Sequence, residues 1–154
     1  MLFEKGMKDL SSTWPDLKDD ENPYALGVIW GNAVMRPGQE QGDKGEHQHI
    51  GVFGAPVIHT DEAKEAAWIC IMNLLEALKE LMGDLQHVER IEKINGYIAS
   101  TNDSTEHSKV IQAASILLKD IFGGEKKDAR VAVGLSSLTG GATVEIEILG
   151  ELKD

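Results

Sequence analysis

A single cysteine, Cys70, stands in the whole chain, so no internal disulfide can form and nothing points to an oxidising compartment. Aromatic residues make up only 5% of the sequence, too few to build a base-stacking surface. No long basic stretch occurs, and the formal charge is −11. Nucleic acid demands a basic surface to neutralise its phosphates, so RNA or DNA is disfavoured as a partner. No apolar run approaches the ~18 residues of a membrane span. The first residues include Glu4, Lys5, Lys8 and Asp9 and carry no apolar signal core. The expectation is a cytoplasmic protein without a membrane anchor.

What remains is an ordinary globular composition. A length of 154 residues, 42% of them hydrophobic, suits one domain with a real core. Residues 1–22 are polar and turn acidic at Asp16, Asp19, Asp20 and Glu21, so they read as a lead-in to a domain over 23–154. Residues 24–29 and 33–36 read as two strands of a hairpin turning at Gly31-Asn32. The Gly-, Pro- and Gln-rich stretch 37–48 predicts a loop, with a short strand at 49–53. Thr60 looks like an N-cap before acidic Asp61 and Glu62, and opens a helix over 60–82 that stops at Gly83. Its apolar stripe is broad enough to be buried against more than one surface, and suggests a partner subunit. Cys70 falls within that stripe and reads as a buried, inert thiol. A turn at 84–87, a strand at 90–99, a helix over 106–122 and strands at 129–135 and 144–148 follow. The order predicts an α+β fold, a mixed sheet with two helices on one face.

The last two strands carry the chemistry. Alternation puts Arg130 on one face with Ala132 and Gly134, and Val131, Val133 and Leu135 on the other. Small neighbours leave a shelf beside the guanidinium, where a small carboxylate could take a bidentate contact. In the final strand Glu145 and Glu147 share a face opposite Val144, Ile146 and Ile148. Pattern alone favours the plainer reading, an Arg–Glu cross-strand pair on a solvated face.

Several segments together resemble the RidA family, also called YjgF. They are 129–134 (Ala-Arg-Val-Ala-Val-Gly), 143–147 (Thr-Val-Glu-Ile-Glu), 93–100 (Lys-Ile-Asn-Gly-Tyr-Ile-Ala-Ser) and 121–123 (Ile-Phe-Gly). The hairpin segments 22–28 (Asn-Pro-Tyr-Ala-Leu-Gly-Val) and 31–39 (Gly-Asn-Ala-Val-Met-Arg-Pro-Gly-Gln) fit as well. The likeness spans about residues 23–151, and the segment 65–75 resembles the branch labelled endoribonuclease L-PSP.

The resemblance implies a chorismate-mutase-like fold, a homotrimer with pockets between subunits, and no cofactor. It implies hydrolysis of reactive 2-imino acids of the 2-aminoacrylate type to 2-oxo acids and ammonia. An iminium carbon is already electrophilic, so neither a metal nor a covalent nucleophile is required. Carried over residue by residue, Arg130 would anchor the carboxylate, Glu145 would handle the proton on water, and Tyr24 would line the pocket. Main-chain groups near Gly38 and Ala132 would complete the polar lining, and Gln112 falls near the position of a family asparagine that contributes across the interface. Pro37 departs from the family, which usually has a serine there, so a hydroxyl and an N–H are both lost. The loss predicts reduced turnover or a changed substrate. His47 and His49 have metal-ligand spacing, but with no third ligand in evidence they and His59 read as exposed loop histidines, and no metal is expected. A non-catalytic carboxylate-binding trimer is the alternative to the deaminase, with a ribonuclease or translation inhibitor third.

Overall fold

The computed structural model describes residues 25, 27–40, 42–43, 46–47, 51–54, 58–123 and 127–154. A hairpin turning at Gly31-Asn32 joins β1 (Val28–Trp30) to β2 (Ala33–Glu40). Two short strands, β3 (Gly42–Asp43) and β4 (Glu46–His47), form a separate ribbon. Helix α1 (Thr60–Met82) leads through a 3-10 turn at Leu85–His87 into β5 (Val88–Ala99). Helix α2 (His107–Phe122) then carries the chain back to the start of β6 (Ala129–Leu135), and this crossover makes β5 and β6 parallel. The last strand, β7 (Val144–Leu152), inserts antiparallel between β2 and β5. The order is β1-β2-β7-β5-β6, a mixed five-stranded sheet with β1 and β6 at its edges.

Both helices cover one face. α1 lies over β2 and β7, α2 lies over β5 and β6, and the helices pack on each other. Small residues Ala63, Ala66, Ala67 and Cys70 are fully buried and let α1 sit close to the sheet. The Cys70 thiol donates to the Val144 carbonyl at 3.4 Å, so it is packed and paired within the core. Leu74, Leu75 and Leu78 are also fully buried, each contributing about 1.5–3 kcal/mol. Most of the α1 stripe is therefore buried within the chain, by the sheet and by α2, while Leu81 near its end stays exposed. Among the described residues, no helix is long and apolar enough to cross a membrane.

Gly96 sets the spacing of α2. A Cβ there would stand 2.4 Å from Ile111 Cγ1, so only a bare α-carbon lets the helix settle onto β5. The descent brings the exposed side of α2 beside β6. Just past the end of β5, Ser100 Oγ and His107 Nε2 share a 2.7 Å hydrogen bond across the connecting loop.

Three local expectations need correction. The N-cap of α1 is His59, whose backbone N–H donates to Glu62 Oε2 at 2.9 Å. Thr60 instead donates its hydroxyl to Glu106 at 3.2 Å, tying the starts of the two helices together. The supposed loop over 37–48 begins as strand: β2 continues to Glu40. Its pairing with β7 is irregular between Arg36 and Gln39, and Pro37 sits in that irregularity, where no ladder N–H is required. Around Phe53 there is no strand, only isolated bridges to Ile58 and Ser100, while residues 49–50 lie outside the described residues.

Candidate functional site

Cross-strand register decides which side each candidate occupies. Arg130, Ala132 and Gly134 lie opposite Ile94, Gly96 and Ile98 of β5. Ile94 and Ile98 are fully buried and Gly96 lies under Ile111, so this is the helix-covered side. Arg130 therefore reaches α2. Its Nη1 donates to Ser115 Oγ and its Nη2 to Ser108 Oγ, both at 3.1 Å. Ser115 in turn donates to Asp128 Oδ2 at 3.0 Å. Neutral hydroxyls thus hold the guanidinium, and no carboxylate pairs with it directly among the described residues. Each terminal nitrogen keeps a further N–H to offer.

A cleft of about 380 Å³ opens there between α2 and the start of β6. Gln112, Ser115, Ile116 and Lys119 line it from the helix, and Lys127, Asp128 and Arg130 from the strand side. Three cations thus face one carboxylate. Arg130 and Gln112, picked out separately in the sequence, come together in this cleft. Ala132 lies two residues further along β6 and packs half-buried against the core.

Glu145 lies elsewhere. It pairs with Tyr97 of β5, on the open face of the sheet, and Glu147 pairs with Asn95. Two strand spacings and three residues of rise put the Arg130 and Glu145 α-carbons roughly 14 Å apart. The two side chains also leave opposite faces. Gly38 is the neighbour that Glu145 does meet: a Cβ on Gly38 would stand 1.9 Å from Glu145 Oε1. The bare α-carbon makes the notch that the carboxylate fills.

Glu147 is paired rather than merely solvated. Tyr97 Oη donates to its Oε1 at 2.9 Å, and Asn95 Nδ2 donates to the same oxygen. Burial, then the hydrogen bond to Glu147 and the charges of Glu147 and Glu145, push the Tyr97 phenol above its usual range. The open face therefore carries a linked set of Asn95, Tyr97 and Glu147 beside Glu145. Apolar side chains stand exposed around it, with Trp30 and Met35 toward one edge and Val131, Val133 and Leu135 at the other.

Tyr24 and His49 lie outside the described residues. His59 is spent at the start of α1. Among the described residues no three His, Cys, Asp or Glu side chains gather as a metal site. Sequence reasoning missed Asn95, Tyr97, Ser108, Ser115, Lys119 and Lys127. The seven-residue spacing of Ser108 and Ser115 on one helix face was the available signal, as was the two-residue spacing of Asn95 and Tyr97 on a strand.

No family model matches the chain. Protein TCP17 of Trypanosoma cruzi is 37% identical over 105 residues, a match spanning 68% of this chain and 65% of that protein's length. Atu1372 of Agrobacterium tumefaciens, a crystal structure of unknown function, is 33% identical with a TM-score of 0.85, covering 98% of this chain and 92% of that one. A Shewanella oneidensis protein provisionally described as an endoribonuclease is 23% identical with a TM-score of 0.87, covering 97% and 98%. RidA from an Antarctic Psychrobacter is 20% identical with a TM-score of 0.60, covering 90% and 94%. The last two likenesses establish the fold.

Proposed function

The chain belongs with Atu1372 to one family, built on the fold shared by RidA (YjgF) and the L-PSP endoribonucleases, and from that premise we propose that it is a deaminase of reactive 2-imino acids. The observation that carries this reading is the way Arg130 is held. Two serine hydroxyls fix the guanidinium at 3.1 Å without neutralising it. An arginine so placed is pre-organised for an incoming carboxylate.

In this reading Arg130 anchors the substrate carboxylate and leaves the adjacent iminium carbon open to water. Glu145 takes a proton as water adds, and returns one to nitrogen as the carbon–nitrogen bond breaks. The products are the 2-oxo acid and ammonia, and the reaction requires no cofactor. Arg130 and Glu145 lie on opposite faces of the sheet, so the pocket is completed between copies, in the homotrimer expected of this fold. The exposed apolar side chains of the open face, Trp30 at 47% and Val131 at 43%, support burial against a second copy. Gln112 would contribute from the cleft, Gly38 and Ala132 from the main chain, and Tyr24 from the segment before β1.

The separation of Arg130 from Glu145, with Pro37 in place of a serine, favours one second reading: a trimer that binds small carboxylates without turnover. A ribonuclease is disfavoured by the net charge of −11. The deciding experiment generates imines in situ with an amino-acid oxidase and follows release of the 2-oxo acid. Acceleration by the wild type and none by Arg130→Ala supports the deaminase. Binding of a 2-oxo acid with no acceleration supports the second reading.

A further inference from the structure

The cleft beside Arg130 has more positive charge than one carboxylate needs. This inference rests on the reading of Arg130 as a carboxylate anchor, and it names the class of acid that the site takes. Gln112, Ser115, Ile116 and Lys119 line the cleft from α2 at spacings of i, i+3, i+4 and i+7, a single stripe along the helix. Ser115 holds Arg130, so the guanidinium marks one level of that stripe. Lys119 follows one turn later, about 6 Å along the axis. Lys127, three residues before Arg130, comes in from the opposite wall.

Neither lysine pairs with a carboxylate among the described residues. Asp128, the single carboxylate on the lining, is engaged by Ser115. Between the guanidinium level and the lysines lies Ile116, 52% exposed. The cleft thus offers a planar cation, a short apolar stretch, and then a second positive centre. We infer that it takes a 2-imino or 2-oxo dicarboxylic acid. Arg130 receives the carboxylate next to the reacting carbon, and Lys119 with Lys127 receives the distal one. A volume of about 380 Å³ has room for a diacid with a short aliphatic chain.

Lys119 also lies in the last turn of α2, where a cation balances the carbonyl end of the helix. That role would not involve Lys127, and it would not distinguish one acid from another. Calorimetric titration with 2-oxobutanoate and 2-oxoglutarate separates the two roles. The wild type should bind 2-oxoglutarate about tenfold more tightly, the worth of one added charge-assisted contact. The double variant Lys119→Gln/Lys127→Gln should lose that preference and keep its affinity for 2-oxobutanoate within about twofold. A control with the same charge change elsewhere, Lys64→Gln/Lys153→Gln, should retain it. Equal binding of the two acids by the wild type would overturn the inference. So would a preference that survives in the cleft variant, or one that vanishes in the control. Failure of the wild type to bind either acid, or full binding of both by Arg130→Ala, would instead overturn the reading of Arg130 itself.

Discussion

Arg130 and Glu145 stand on opposite faces of one sheet, with β5 between their strands. A single small substrate cannot touch both within one chain. If both act on it, they must come from different copies. Mixing two inactive variants, Arg130→Ala and Glu145→Gln, should then restore activity. With random assembly about a quarter of the interfaces would carry an intact arginine facing an intact glutamate. Co-expressed and co-purified mixtures should show about that share of wild-type turnover. Mixtures no more active than either parent would mean that the two residues do not combine across copies.

On the proposed reading Arg130 should serve binding rather than folding. It is exposed, and its partners are neutral hydroxyls. Arg130→Ala should leave the melting temperature nearly unchanged, yet cost about 2–4 kcal/mol of transition-state stabilisation. Arg130→Lys should fail almost as badly, because an ammonium cannot replace the planar fork. Steady-state kinetics beside a thermal melt would check this, and near-full activity in a folded Arg130→Ala would remove Arg130 from the site.

Much of this fold was legible because helices and strands announce themselves locally. Ala63, Ala66, Ala67 and Cys70 set the buried side of α1 by their spacing alone, and Gly83 marks its end. Period-2 alternation likewise sorted Arg130 from Val131 and Glu145 from Val144. Alternation says which residues share a face, but not which face the helices cover. That depends on the register of β6 against β5, a non-local property. For the same reason nothing marked Arg36 as 1% exposed, or Asn95 and Tyr97 as partners of Glu147. Pro37 misled because proline usually ends a strand, whereas here it occupies an irregularity that needs no donor.

Gly38 is predicted to govern Glu145 through space alone. A methyl group at position 38 would overlap the Glu145 carboxylate, since the Cβ would stand 1.9 Å from Oε1. The overlapped atoms end a flexible side chain, so Gly38→Ala should fold and lose little stability. The carboxylate must move aside, and turnover should fall about tenfold or more with binding of a 2-oxo acid largely kept. Unchanged kinetics in this variant would show that the seat of Glu145 does not matter to the reaction.

Glu145 and Glu147 of β7 should separate cleanly. Glu145→Gln keeps shape but cannot take up a proton, so turnover should drop while the melt stays put. Glu147 accepts from Tyr97 and Asn95, so Glu147→Gln should cost about 1 kcal/mol of stability and change turnover little. Paired kinetics and denaturation of both variants would test the division. A larger catalytic defect at Glu147 would reverse the assignment.

Tyr97 supplies a pH signature of the same cluster. Burial, the hydrogen bond to Glu147 and the nearby charges of Glu147 and Glu145 raise its folded pKa above the usual value of about 10. The unfolded chain then loses this proton first as pH rises. Above about pH 10 the unfolded state binds fewer protons than the native state, so stability falls with pH. The Tyr97 contribution is fully present below the unfolded pKa and is lost as pH climbs through the folded one. Tyr97→Phe removes both the titration and the donor to Glu147. It should cost about 1–2 kcal/mol at neutral pH and show a shallower decline above pH 10. Urea denaturation of the wild type and the variant between pH 8 and about pH 11 would measure both effects. Parallel alkaline limbs in the two proteins would mean that burial and Glu147 do not hold the phenol in its neutral form.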